Sequence, residues 1–465
     1  MTRLAWTFLR SGGWSRAALL AGTTAVATAL MLVALTMLLL PSQPAEALFG
    51  LIAQPGLRRG TAFATALLVV PLLLMLSQVV RLGTATRERR LAALRLAGAT
   101  PAEVRRIGAV EVGFPVTLGA LSGPLVFALL RALFGGQHVQ PGLGGSGSFA
   151  LGPAPALIPT SVTAAWWQIA AVVAAVAAAG VATGIMASRH LIVSPLGVSR
   201  RAQPFAPRPW GLLLLGAGLV AMAAAKLGVF GVFGGLRESV MMAGILLVVL
   251  GTIALAPWIA FQSGQRAARR TSDPATLIAA GHLVSDPGPA GRAAAAVGAI
   301  GIVSGTAAVL ELGALLGPFV DPFFAISFAL VGFALILVLV VTASTLTVHA
   351  AESILDRRRV LAALVAAGTP VSVLRDSLRR EAMLTSMPLS VGGVLLGAVV
   401  TGGVGAISGR PVTFQEGLTL ALPLLFVCAQ VIVTVGLTWA AIRIAIRAVG
   451  PQLVLATSPD NLRTE

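Results

Sequence analysis

The 465-residue chain contains one cysteine, Cys428, and one lysine, Lys226. A lone cysteine excludes a disulfide framework and any cysteine-based metal centre. A lone lysine, with no Gly-x-x-x-x-Gly-Lys-Ser/Thr frame around it, excludes a nucleotide-binding phosphate loop in these residues. His-Glu-x-x-His, Cys-x-x-Cys and Gly-x-Ser-x-Gly patterns are absent too, which removes the common hydrolase and redox signatures. The histidines His138, His190, His282 and His349 are scattered and suit loops or interfaces rather than a ligand set. Charged residues make up only 11% of the chain, against about 25% in a soluble domain. Within the apolar runs carboxylates are scarcer still, and Glu311 is the one acid well inside such a run. A proton or sodium relay needs several such groups at mid-depth. Glu311 suits an interfacial position better than its alternative role, a contact to a cationic substrate.

What is abundant is apolar surface. Hydrophobic residues reach 57% and mean hydropathy is +0.93. Apolar runs fall at 17–40, 61–83, 109–134, 164–187, 210–229, 239–262, 293–316, 323–348, 383–406 and 418–442. This pattern predicts an all-α polytopic membrane protein with about ten transmembrane helices. The net charge of +17 does not point to nucleic acid, because the arginines sit at the ends of the runs instead of on one continuous face. With the N-terminus inside, only Arg58, Arg59, Arg131, Lys226, Arg237 and Arg410 of the 33 basic residues fall on outer segments or outer span ends. The positive-inside rule then places both termini in the cytoplasm. Residues 1–16, with Arg3, Arg10 and Arg16, read as a helix on the inner surface. Residues 263–292 repeat that logic around a short apolar segment. The uncharged 137–160 stretch, rich in Gly, Pro and Ser, reads as an outer loop.

One basic stretch occurs twice. Residues 87–111 read RERRLAALRLAGATPAEVRRIGAVE, and residues 357–381 read RRRVLAALVAAGTPVSVLRDSLRRE. A shift of 270 aligns them without a gap, with identities at Arg87, Arg89, Leu91, Ala92, Ala93, Leu94, Ala97, Gly98, Arg105 and Glu111. The repeat predicts two parallel four-helix units joined by two linking helices. The expected domains are residues 1–190, a linker at 191–265, a second unit at 266–449 and a cytoplasmic tail at 450–465. An Arg at mid-bilayer costs about 2.5–3.5 kcal/mol, so neither stretch crosses the membrane. Both face the cytoplasm, where each Arg gains about 1 kcal/mol from anionic lipid. In each copy Gly followed by Thr-Pro predicts a helix stop and restart: Gly98 ends a helix and Thr100 caps the next, with Pro101 in its first turn. Thr369 and Pro370 have the same roles after Gly368. The apolar ridge on such a helix-turn-helix looks like a docking surface for another protein. Glu111 is expected to pair with Arg105 or Arg106, and Glu381 with Arg375 or Arg379.

Arg89-Arg90-Leu-Ala-Ala-Leu94-Arg95-Leu-Ala97-Gly98-Ala99-Thr100, between the second and third spans of a four-span unit, resembles the FtsX-like (MacB-type) permease domain of ABC transporters. The second copy is a looser match, with Val365 in place of Arg95 and no Ala between Gly368 and Thr369. The resemblance implies a permease subunit of the bacterial plasma membrane, not itself an enzyme. It would couple ATP hydrolysis by a separate cytoplasmic ABC-type ATPase, in two copies, to movement of a hydrophobic or amphiphilic substrate such as a lipid, peptide or drug-like compound. ATP and Mg2+ would bind the ATPase, and this chain would hold no cofactor or metal. Carried over to this sequence, the ATPase-coupling residues are Arg87, Arg89, Arg90, Leu94, Arg95, Gly98, Thr100 and Arg105, with Arg357, Arg358, Arg359, Leu364, Gly368, Thr369 and Arg375 in the second copy. The outer loops at 41–60 and 317–322 are short, which speaks against a periplasmic-adaptor role. Two rival readings are a major-facilitator-type secondary transporter and a mechanical signalling subunit that relays ATPase motion to a cell-wall enzyme.

Overall fold

The computed structural model describes residues 14–42, 48–81, 98, 100–135, 138–143, 149–154, 156–188, 206–227, 234–315, 322–407 and 418–458. Most of the expected N-terminal surface helix and the basic run from Arg87 to Arg95 lie outside them. The chain forms two compact units. Unit 1 comprises Met1–Val80 and Glu88–Val193; unit 2 comprises Arg81–Arg87 and Ser194–Glu465.

In unit 1, α1 (Trp14–Leu39) is followed by a single turn at Gly50–Ala53, then α2 (Pro55–Leu67) and α3 (Val69–Arg81). The last two form one span broken at Leu68. Pro71 lacks an amide hydrogen and crowds the carbonyl four residues back, at Leu67, so the ladder is interrupted there. Helix α4 (Pro101–Phe134) and α5 (Trp166–Ser188) complete the unit. The 137–160 loop holds a short antiparallel hairpin, β1 (His138–Leu143) with β2 (Phe149–Ala154), in register His138 to Ala154. Backbone bonds from Phe49 N to Ala156 O and from Ile158 N to Phe134 O tie the base of this loop to the end of α4 and the turn at Gly50–Ala53.

The core of unit 1 lies where α1 packs on α4. Gly123 makes the contact possible, since a Cβ there would stand 2.4 Å from Thr28 Cβ. Small residues let helix backbones approach closely, which is how helices associate in lipid. Leu32, Val33, Met37, Ile52 and Phe127 fill the half of this core nearer the hairpin loop. Leu118, Leu121, Leu125 and Leu129 of α4 are exposed, an apolar stripe suited to lipid.

Arg58 sits within this packing. Although it reads as an outer-loop charge, it is 6% exposed. It donates to the carbonyls of Leu40, Pro41, Ile52 and Ala53 at 2.7–3.0 Å. These carbonyls lie at or just past helical ends, where the helix supplies no donor. One guanidinium thereby satisfies groups that would be costly to bury bare.

Unit 2 contains α6 (Trp210–Lys226), α7 (Gly234–Arg270), α8 (Pro274–Ser285), α9 (Pro287–Leu315), α10 (Pro322–Asp356), α11 (Arg358–Ala366), α12 (Val371–Ile407) and α13 (Leu418–Ala456). Helices α6 and α7 pair tightly, and α9 packs on α7, α10, α12 and α13. The α9–α12 crossing is again made by glycine: a Cβ on Gly393 would stand 2.5 Å from Gly298 O. Deep in the bundle Gln430 donates to Ser304 Oγ at 2.6 Å, and Ser304 shares a 2.9 Å hydrogen bond with Thr434. Toward the basic end, Ile354, Leu361, Leu374, Ile442, Val449 and Leu453 form one buried cluster. Helix α13 continues to Ala456, with Arg443 stacked 4.4 Å from the Trp439 ring.

Among the described residues nine helices are long and apolar enough to cross a membrane. The tenth expected span, 210–229, is α6, an apolar helix of 17 residues. At 1.5 Å per residue it is about 25 Å long, short of a hydrocarbon core of about 30 Å. The molecule is an all-α, multi-pass membrane protein, and among the described residues the exception is one small hairpin.

Candidate functional site

The two basic stretches carry the same backbone break. Gly98 and Gly368 are the positive-φ residues among those described, both at φ 94°. That region suits glycine, which has no Cβ to clash. In the second copy the stop is a complete Schellman motif. Gly368 N donates to Val365 O and Thr369 N to Leu364 O, both at 2.9 Å.

The restarts differ in detail. In the first copy Thr100 caps α4 with Pro101 in the first turn, as its sequence indicates. Thr100 Oγ1 accepts from Glu103 N at 3.3 Å, and Thr100 N donates to Glu103 Oε2 at 2.9 Å. This reciprocal capping box was legible as Thr-x-x-Glu, a signal the sequence reading passed over. In the second copy Thr369 belongs to the stop, and Pro370 O accepts the first bonds of a helix that begins at Val371. Pro370 therefore precedes the helix and does not sit in its first turn. Val373 occupies the place of Glu103, so no capping box forms there. Both helices nonetheless start three residues after their glycine.

Of the predicted coupling residues, Arg87, Arg89, Arg90, Leu94 and Arg95 lie outside the described residues. Arg105 lies on α4, and only its backbone is described. In the second copy Arg359 and Arg375 are exposed and Arg358 is half-buried. Leu364 is not an outward ridge: it packs with Val365 against the cluster around Leu361 and Leu374. The exposed large apolar residue of α11 is Val360. Glu311 sits in the last two turns of α9, half-buried, at the opposite end of that helix from Arg292, and does not join the basic elements.

Arg357 also turns inward. It is the cap residue between α10 and α11, and its Nη1 lies 3.4 Å from Glu381 Oε2. The Nδ1 of His282, on α8, contacts the same Arg357 Nη1 and lies 3.4 Å from Glu381 Oε2. His349, on α10, reaches Glu381 Oε1 at 3.9 Å. Glu381 thus pairs with Arg357, His282 and His349; Arg375 and Arg379 are not its partners, and Arg379 instead approaches Asp376 at 4.0 Å. The expected pairing one turn away fails because α12 turns Glu381 into the bundle and Arg375 to solvent. A cavity of about 20 Å3 adjoins, lined by His349, Ser353, Glu381 and apolar side chains of α13.

In unit 1 the corresponding carboxylate, Glu111, meets Arg16 of α1 at 2.9 Å. Arg16 also donates to Val79 O at 3.2 Å and to Val80 O at 2.9 Å, tying α1, α3 and α4 together. That long-range partner, 95 residues away, cannot be found from helical spacing.

At the start of α8, Asp273 accepts from Thr276 N at 2.8 Å and pairs with Arg380 at 3.0 Å. The Thr276 amide, then its hydroxyl and the Arg380 charge, hold the Asp273 carboxyl below its ordinary value.

No curated protein matches the chain. The FtsX-like permease C-terminal family model matches residues 60–196, which run from within the second span of unit 1, through the basic stretch with Gly98 and Thr100, past the end of α5.

Proposed function

We propose that the chain is the membrane subunit of an ABC transporter, built as two fused FtsX-like permease units of MacB type. Each basic helix-turn-helix is a coupling element for a separate cytoplasmic ATPase, two copies per chain, which binds ATP and Mg2+. The observation that carries this reading is the shared break. Gly98 and Gly368 have the same φ of 94°, and helices restart at Pro101 and Val371. The first break lies inside the family match. Two parts that grip the same kind of partner need the same backbone shape, and the differing restart chemistry leaves that shape intact. The helix crossings support the fused pair as well. Gly123 meets Thr28 and Gly393 meets Gly298, and these positions stand in the register of the sequence repeat.

ATPase closure would press on the two hairpins, and the rigid packing behind each would transmit the stroke to its span bundle. In unit 2 Leu361, Leu364 and Leu374 seat the hairpin, leaving Arg359, Val360 and Arg375 outside to meet the ATPase. The cargo is hydrophobic or amphiphilic, taken from the membrane or its outer leaflet. In this reading the chain lies in the bacterial plasma membrane with both termini in the cytoplasm.

The test is reconstitution in nanodiscs with the partner ATPase. Val360→Asp with Arg359→Glu changes exposed positions only, and Gly98→Trp forces a side chain onto a positive φ. Both are expected to lose most of the permease-dependent ATPase stimulation while the nine long helices stay folded by circular dichroism. Full stimulation in both variants overturns the reading.

A further inference from the structure

We infer that unit 2 holds its basic hairpin by a proton-exchangeable latch, in which His282 Nδ1 is shared between Arg357 and Glu381. The three groups form a closed triangle: His282 Nδ1 contacts Arg357 Nη1, and both atoms lie 3.4 Å from Glu381 Oε2. A guanidinium only donates and a carboxylate only accepts. With His282 neutral, its Nδ1 lone pair accepts from Arg357 and the imidazole proton is on Nε2. Arg357 is then held from two sides, and the triangle is neutral overall. When Nδ1 takes a proton from water, the new N–H donates to Glu381 Oε2. Arg357 loses an acceptor and faces a second cation, and the triangle carries a net charge of +1.

The imidazole is within reach of that proton, because its side chain is 26% exposed while that of Glu381 is 7% exposed. The surrounding groups on each packed element are defined. His349 of α10 lies on the other oxygen of Glu381, at 3.9 Å. Asp286, the residue that ends α8, and Arg292, in the first turns of α9, act on His349 through their charges. Arg380 of α12 is engaged by Asp273 and Thr276 at the far end of α8. Helix α7 meets α8 beside this point through Gly264 against Leu283, an apolar contact.

Arg357 is the residue through which a charge change here reaches the hairpin. It sits at the joint between α10 and α11, with φ −104° and ψ 11°. Its side chain ties the first turn of α11 to α12 and α8. Loosening it frees the start of α11 while Leu361 and Leu364 still hold the middle. Arg357 is therefore a positioning residue for the hairpin and not part of its outer surface. Any effect on ATPase coupling rests on the function proposed above; the latch itself does not.

The experiment is hydrogen–deuterium exchange of the full chain in nanodiscs containing anionic lipid, at about pH 7.5 and about pH 5.5, a window in which histidines change charge. After correction for intrinsic exchange, protection of residues 357–366 is expected to fall about tenfold at the lower pH, the effect of one lost charge-assisted hydrogen bond. Protection of 101–116 in the same sample should stay unchanged. His282→Asn keeps an acceptor for Arg357 but cannot titrate, so its hairpin should stay protected at both pH values. Three outcomes overturn the latch: no fall in the natural chain, an equal fall in His282→Asn, or an equal fall at 101–116. ATPase stimulation measured separately keeps the two ideas apart. A pH-dependent hairpin in a chain that gives no permease-dependent ATPase stimulation at any pH would count against the transporter reading and leave the latch standing.

Discussion

Glu111 and Glu381 occupy matching places in the sequence repeat, yet their cations come from different parts of the chain. Glu111 is met by Arg16 of α1, which also binds two carbonyls at the end of α3. Glu381 is met by Arg357, His282 and His349, from three different segments. Position 286, which matches Arg16, is an Asp and cannot serve. The backbone accounts for part of the difference. His349 and Ala350, which match Val79 and Val80, lie inside α10, which continues to Asp356, so their carbonyls are used by the helix. What persists is a carboxylate where the helix after the break enters the bundle. The cations around it are replaceable, provided that the burial of that carboxylate is compensated.

The largest effect that tests this comparison is removal of each carboxylate. Glu381→Gln leaves Arg357 partly buried without a counter-charge, and breaking such a pair costs about 3–5 kcal/mol. Glu111→Gln leaves Arg16 its two carbonyl partners and should cost less, about 1–2 kcal/mol. Thermal unfolding of both variants in the same detergent should rank them in that order. Equal losses would mean that the carbonyl contacts of Arg16 contribute nothing, and the contrast between the units would collapse.

A middle-sized effect lies in the helix crossings. A Cβ on Gly123 meets the side chain of Thr28, whereas a Cβ on Gly393 meets the backbone carbonyl of Gly298. Overpacking costs about 1–3 kcal/mol in either place. In unit 1 the double variant Gly123→Ala with Thr28→Gly removes the obstructing atoms and should recover much of the loss. Unit 2 has no side chain to remove, so Gly393→Ala should have no equivalent rescue at Gly298. Failure of the unit 1 rescue would show that its crossing, too, is limited by backbone.

Much of the fold was legible because lipid imposes long apolar runs and clusters the arginines at their ends. The turn signals Gly98 and Gly368 were equally plain, since few residues other than glycine accept a positive φ. The misreadings share a cause. Arg58 looked like a solvent charge, Leu364 like an outward ridge, and Glu381 like the partner of a residue one turn away. In each case the true contact is with a different element, from the neighbouring turn for Arg58 to α8 for Glu381, and helical spacing says nothing about which element that is. Composition also underestimated the 137–160 loop. A stretch with so much Gly and Pro lacks a strong strand signal, yet its backbone pairs from His138 to Ala154.

The smallest effect concerns a tie described only in unit 2, the Asp273–Arg380 pair at the start of α8. The folded Asp273 carboxyl lies below its ordinary value of 3.8. Its charge therefore adds stability that is complete above that value and lost as pH falls through the lower, folded one. Asp273→Asn keeps a good helix cap but not the charge. The two proteins should differ by a small constant amount in melting temperature from neutral pH down to about pH 5, and converge below about pH 4. Because the carboxylate is open to solvent, about 1 M salt should shrink even the neutral-pH difference. A gap that widened in acid would mean that Asp273 acts mainly in its protonated form, and the ion pair with Arg380 would then contribute nothing.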